Sequence, residues 1–223
     1  MAFQGLRRGL VNMNSADPKL TNLLHEEKDV LKELANLARE KAEAARFLTM
    51  WGNIEHADIK DICDRTRDLL NEFQNMLSDF SAGYGNYREK LKEIHKGGET
   101  LHDLKHKQST LQSKLSQAIK NKKPHEQLQS ELATTEREVL EHIANYESSK
   151  RALFRDALES QFEAFNVFGK QLVVLGTFGK YMAGQIPQGK LAPGQDLPMY
   201  KGNDTTRQIY SDFIKELKEA AAA

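Results

Sequence analysis

Residues 87–124 read YREKLKEIHKGGETLHDLKHKQSTLQSKLSQAIKNKKP. Leu91, Ile94, Leu101, Leu104, Leu111, Leu115 and Ile119 recur at steps of three, four and seven, so at about 100° per residue they fall on one side of a helix. No proline interrupts the run before Pro124, and NKKPHE reads as a turn. The same stretch is one-sided in charge. Arg88 to Lys123 holds ten Lys/Arg against four acids, and after Asp103 no acid appears before the turn. On the wheel, Arg88, Lys92, His95, His102 and His106 align opposite the apolar stripe, with Lys96 and Lys114 beside them. A charge run on a long helix is ordinarily its solvated face. This sign bias, in a chain whose formal net charge is zero, points further, to a surface for an anionic partner. Gly97-Gly98 is a natural bend point.

Upstream, Ile59, Ile62, Leu69, Phe73, Met76, Leu77, Phe80, Tyr84 and Tyr87 extend the stripe, which predicts a helix over about 56–121. After Pro124 the pattern resumes at Leu128, Leu132, Val139, Ile143, Tyr146, Leu153, Leu158, Phe162, Phe165, Phe168 and Leu172, predicting a helix over 124–186. Helices of roughly 60 residues are about 90 Å long, and so short a turn makes them antiparallel neighbours. Asp17-Pro18 supplies an N-cap and a first helical residue. A helix over 17–51 follows, carrying Leu20, Leu24, Leu31, Leu34, Ala38, Ala45 and Leu48, with Gly52 as its C-cap. Residues 187–202 form a Pro/Gly-rich linker, and Asp204 caps a short helix over 203–223 with Ile209, Phe213, Ile214 and Leu217. The fold class is therefore all-α, with a main helical domain over 17–186. A lone hairpin would leave apolar surface exposed, and dimerisation into an elongated coiled-coil-like bundle completes the core. Its thick part is expected where the start of the second long helix meets the end of the third.

Other signals narrow the function. A single cysteine, Cys63, excludes an internal disulfide framework and reads as a buried core thiol. No run reaches the roughly 18–20 apolar residues of a transmembrane helix, and no signal-peptide h-region is visible, so a soluble intracellular chain is expected. The basic stretch is poor in aromatics and no DNA-binding motif appears, which argues against nucleic acid. His102 and His106 have zinc-compatible spacing, but no third ligand accompanies them on that face; no metal or cofactor is expected. Gly83-Tyr84-Gly85 and Gly176-Thr177-Phe178-Gly179-Lys180 lack the strand and the glycine spacing of a phosphate loop. No catalytic constellation stands out, and no enzyme is expected. The N-terminal MAFQGLRRGLVNMNSAD places Phe3, Leu6, Leu10 and Met13 at helical spacing around Arg7 and Arg8, with no acid before Asp17. It reads as a frayed tail, a mitochondrial presequence, or a segment over 1–16 that folds on a membrane.

The chain resembles the fungal eisosome core proteins, BAR-domain scaffolds of plasma-membrane furrows. The resemblance rests on Leu6-Arg7-Arg8, Glu27-Lys28 with Val30-Leu31, Thr49-Met50-Trp51-Gly52, and Tyr87-Arg88 with Leu91-Lys92 and Ile94. It continues through Lys123-Pro124, Ser149-Lys150 with Leu153-Phe154, Gln161-Phe162, Gly179-Lys180 and the linker to Tyr200. It implies a crescent-shaped antiparallel homodimer of helical hairpins that assembles into a lattice at the cytoplasmic face of the plasma membrane, with a cytosolic pool. It also implies binding of phosphatidylinositol 4,5-bisphosphate and scaffolding of membrane invaginations. The family's Arg-x-x-x-Lys-x-x-Arg cluster maps onto Arg88, Lys92 and His95, a histidine replacing the last arginine, with Lys96 adjacent. Beside such a scaffold, the N-terminal segment becomes a second membrane contact. The other class of reading is a structural coiled-coil protein whose basic face binds an acidic protein partner.

Overall fold

The computed structural model describes residues 16–189 and 191–222. It contains the helices α1 (Pro18–Gly52), α2 (Ala57–Lys120), α3 (Glu126–Ala183) and α4 (Asn203–Ala222), and the described residues hold no strand. The all-α expectation holds.

Each helix end has a local cause. Asp17 is the N-cap of α1: its Oδ1 accepts from Lys19 N at 3.1 Å and Leu20 N at 3.0 Å, satisfying two donors the helix leaves open. α2 ends in a Schellman motif, with Lys123 N bonded to Ala118 O and Lys122 N to Ile119 O. Lys122 takes the left-handed position of that motif at φ 52°, where glycine is usual. α3 stops at Ala183 rather than near 186. Gln185 N and Ile186 N reach back only three residues, to Met182 O and Ala183 O, and Pro187 disfavours helical backbone at Ile186. α4 opens two residues earlier than a cap at Asp204 implies, since its first bond runs from Thr206 N to Gly202 O. Asp204 lies in the first turn and pairs with Arg207 at 3.3 Å.

The chain divides into two compact units, Met1–Asp29 with Asn86–Ser160, and Val30–Gly85 with Gln161–Ala223. The core of the second unit gathers Ile62, Leu69 and Met76 of α2, Phe178 and Met182 of α3, and Phe213 and Leu217 of α4. Phe80 stacks on Phe168 with ring centroids 4.8 Å apart and meets Phe165 at 5.2 Å, an arrangement that stabilises beyond its buried area. Gly52 lies against Cys63: a Cβ at position 52 would stand 2.8 Å from the thiol sulfur. The Cys63 thiol is buried, and burial pushes its pKa up, with Asp64 and Glu55 adding to the shift.

α4 is integral to this unit rather than an appendage after a linker. Phe213 is wholly buried, and the approach to α4 is tied to α2 through Asp61. Asp61 Oδ2 accepts from Tyr200 OH at 2.9 Å and from Thr206 Oγ1 at 2.7 Å. The Tyr200 ring folds so closely over Gly202 that no Cβ fits there.

In the first unit, Leu91, Ile94 and Leu111 of α2 and Val139 and Ala157 of α3 are buried. α2 continues unbroken through Gly97-Gly98, and the pair has a packing role. A Cβ on Gly97 would stand 2.8 Å from the Tyr146 ring, and one on Gly98 3.1 Å from its hydroxyl. The two glycines form the seat of Tyr146.

Candidate functional site

The four residues singled out on α2 lie in the first unit, where the opening turns of α1 run antiparallel beside residues 87–99. The register is set by polar contacts whose residue numbers fall along α1 as they rise along α2. Tyr87 OH donates to the buried carboxylate of Glu27 at 3.1 Å, and Arg88 Nε to Leu24 O at 3.2 Å. His95 Nε2 lies 2.9 Å from Thr21 Oγ1, and Ala16 N donates to Glu99 Oε1 at 2.9 Å.

Arg88 is therefore a strut as well as a cation. Its side chain is 16% exposed, and the Leu24 carbonyl takes its Nε–H on a second lone pair. His95 is similarly engaged, with Glu99 Oε1 3.4 Å from the same ring nitrogen. Lys92 and Lys96 reach solvent. Lys92 pairs with Glu89, and its hydrogen bond, helped by the charges of Lys92 and Arg88, holds the Glu89 carboxyl below the usual carboxylate range. Among the described residues Lys96 has no ion-pair partner. His102 and His106 are exposed farther along α2, and no group of three metal-ligating side chains occurs among the described residues. Phe3, Leu6, Arg7, Arg8, Leu10 and Met13 lie outside the described residues.

The wheel treats α2 as an isolated cylinder, so it missed the contribution of α1. Lys28 directly follows Glu27 and comes one turn after Leu24, which puts it at the level of Tyr87 and Arg88, and it is exposed. Lys28 of α1 thus lies level with Arg88 of α2, and Lys92 and Lys96 follow along α2. The missed signal was the antiparallel register, which the sequence hints at only through the helix caps. Such a surface can take an anion by charge-assisted hydrogen bonds from several cations at once.

Paired long helices, with no described helix long and apolar enough to cross a membrane, define an all-α helical scaffold. The family model described as "Eisosome component PIL1" matches residues 6–222, and the chain belongs to that family. It is 27% identical over 205 residues to the Saccharomyces cerevisiae "Sphingolipid long chain base-responsive protein PIL1", covering 90% of this chain and 60% of that protein. The corresponding figures for "Sphingolipid long chain base-responsive protein LSP1" of the same yeast are 26%, 90% and 60%. The Schizosaccharomyces pombe "Probable sphingolipid long chain base-responsive protein pil1" is 26% identical, covering 87% of this chain and 56% of its own length. The chain spans less than two thirds of the length of these relatives.

Proposed function

We propose that the protein is a peripheral membrane scaffold of eisosomes. In this reading it binds anionic phosphoinositide headgroups, phosphatidylinositol 4,5-bisphosphate in particular, through the Lys28/Arg88/Lys92/Lys96 surface with His95 beside it. One observation carries the reading: Arg88 and His95 are oriented by bonds to α1 while Lys92 and Lys96 remain open to solvent. A pre-set cluster loses less side-chain freedom on binding than four independent cations. Each basic residue near an anionic leaflet adds about 1 kcal/mol of attraction. The family's location supports the cytoplasmic face of the plasma membrane as the place of action. The segment 1–16 would add apolar contacts from Phe3, Leu6, Leu10 and Met13, with Arg7 and Arg8 meeting phosphates.

Self-assembly is the second half of the proposal. Within the second unit, Val30 and Leu37 on α1 and Phe162, Phe165 and Val173 on α3 are 41 to 70% exposed. Apolar rows of this kind on long helices favour a partner helix over water, which supports a crescent-shaped homodimer as the building block of a lattice. Assembly then multiplies weak headgroup contacts into a stable coat. The test is co-sedimentation with vesicles of neutral lipid, with and without phosphatidylinositol 4,5-bisphosphate, alongside sedimentation equilibrium without lipid. Phosphoinositide-dependent pelleting by a dimer supports the proposal; a monomer that pellets with neither vesicle contradicts it.

A further inference from the structure

The polar grip of the linker on α2 converges on one atom. Tyr200 OH and Thr206 Oγ1 both donate to Asp61 Oδ2, across 139 and 145 residues of chain. The other carboxylate oxygen faces Arg65 Nε at 3.8 Å, and Arg65 is shared with Asp68 at 3.4 Å. Around Tyr200 the linker is open: Leu197 is 49% and Met199 85% exposed, and residues 196–202 carry no regular structure. Asp58 and Tyr200 line the same cavity of about 430 Å³, so two carboxylates border the phenol. Burial and these carboxylates push the Tyr200 pKa up to about 12, which keeps the phenol a neutral donor to Asp61. α4 shares Asp61 through Thr206, but it has a second anchor that the linker lacks, Phe213 and Leu217 in the apolar core.

We propose that Tyr200 is a phosphorylation site, and that a phosphoryl group on its hydroxyl releases the linker from α2 while α4 stays seated. In the transfer, Tyr200 Oη attacks the γ-phosphorus of a nucleoside triphosphate bound to a tyrosine-directed kinase. The bond to the β-phosphate oxygen breaks, the nucleoside diphosphate leaves, and the phenolic proton passes to the kinase's base. The product carries about −1.5 to −2 charges. It has lost the donor that met Asp61 and cannot return to a place bordered by Asp61 and Asp58. The backbone bond from Thr206 N to Gly202 O at 3.0 Å does not involve the phenol, so the first turn of α4 survives the release. An exposed extended segment presents the tyrosine in the form a kinase cleft accepts, and the Asp61 bond protects it in the docked state.

The experiment incubates the full chain with a broad-specificity tyrosine kinase and magnesium ATP, and maps the product by mass spectrometry and hydrogen exchange. Tyr200 should be modified at least fivefold faster in D61A than in the wild type. In the phosphorylated wild type, exchange over residues 197–202 should rise at least tenfold, with the core positions around Phe213 and Leu217 unchanged. If D61A loses its helical signal, D61N carries the same comparison. Tyr200 unmodified in both proteins, equal modification rates, or unchanged exchange over 197–202 after modification would each overturn the proposal. Loss of protection throughout α4 would overturn the separation of linker from helix.

Discussion

Thr21 Oγ1 and His95 Nε2 stand 2.9 Å apart, and the hydroxyl of Thr21 also donates to Asp17 O at 3.0 Å. A threonine hydroxyl has one proton, so His95 Nε2 carries the hydrogen between the two side chains. The first turn of α1 is thus fastened to α2 by a histidine of defined tautomer. Thr21→Val keeps the shape of the side chain and removes this acceptor. It should cost about 1 kcal/mol and raise hydrogen exchange in the first turn of α1, read by urea titration and exchange mass spectrometry. Unchanged exchange there would show that the contact does not hold α1.

Gly52→Ala places a methyl group against Cys63. The expected cost is about 2 kcal/mol, seen as a lower urea midpoint. The burial that raises the Cys63 pKa also makes the wild-type thiol unreactive, since the thiolate is the nucleophile. Under native conditions Cys63 should therefore resist a thiol reagent at pH 8, and Gly52→Ala should speed its labelling.

Thr135 is completely buried in the first unit, and its hydroxyl has no hydrogen-bond partner among the described residues. Thr135→Val removes an unsatisfied polar group while preserving branching at Cβ. It should stabilise the protein by about 1 kcal/mol, raising the urea midpoint without changing the slope. A loss of stability would mean that the hydroxyl finds a partner in solution.

The alkaline limb of stability should report on Tyr200. Its folded-state pKa of about 12 lies above the ordinary tyrosine value of about 10. The folded chain therefore holds the phenolic proton more tightly than the unfolded chain does. The stabilisation is fully present below about pH 10 and is lost as pH rises through about 12. Tyr200→Phe should flatten this pH dependence in urea titrations between about pH 10 and 12, where the wild type should weaken.

Local chemistry made much of the fold legible in the sequence. The Asp17 cap, the Lys123-Pro124 turn and the unbroken apolar stripes mark three of the four helices to within a few residues. Long-range pairing was hidden. Nothing near Arg88 or His95 announces Leu24 or Thr21, 64 and 74 positions away, so a helical wheel presents both side chains as free. Asp61 likewise gives no local sign of Tyr200 and Thr206, and 187–202 therefore read as a plain linker. The packing role of Gly97-Gly98 was hidden in the same way, because the Tyr146 ring that needs the space comes from another helix.

The basic face is tested most directly by reversing charges that do not hold the fold. Arg88 and His95 are poor choices because both fasten α1, whereas Lys92 and Lys96 are solvent-facing. Binding of wild type and K92E/K96E to vesicles containing phosphatidylinositol 4,5-bisphosphate should be compared at matched helical content and oligomeric state. The account predicts at least a tenfold loss of affinity in the variant. Equal binding by the two proteins would contradict it.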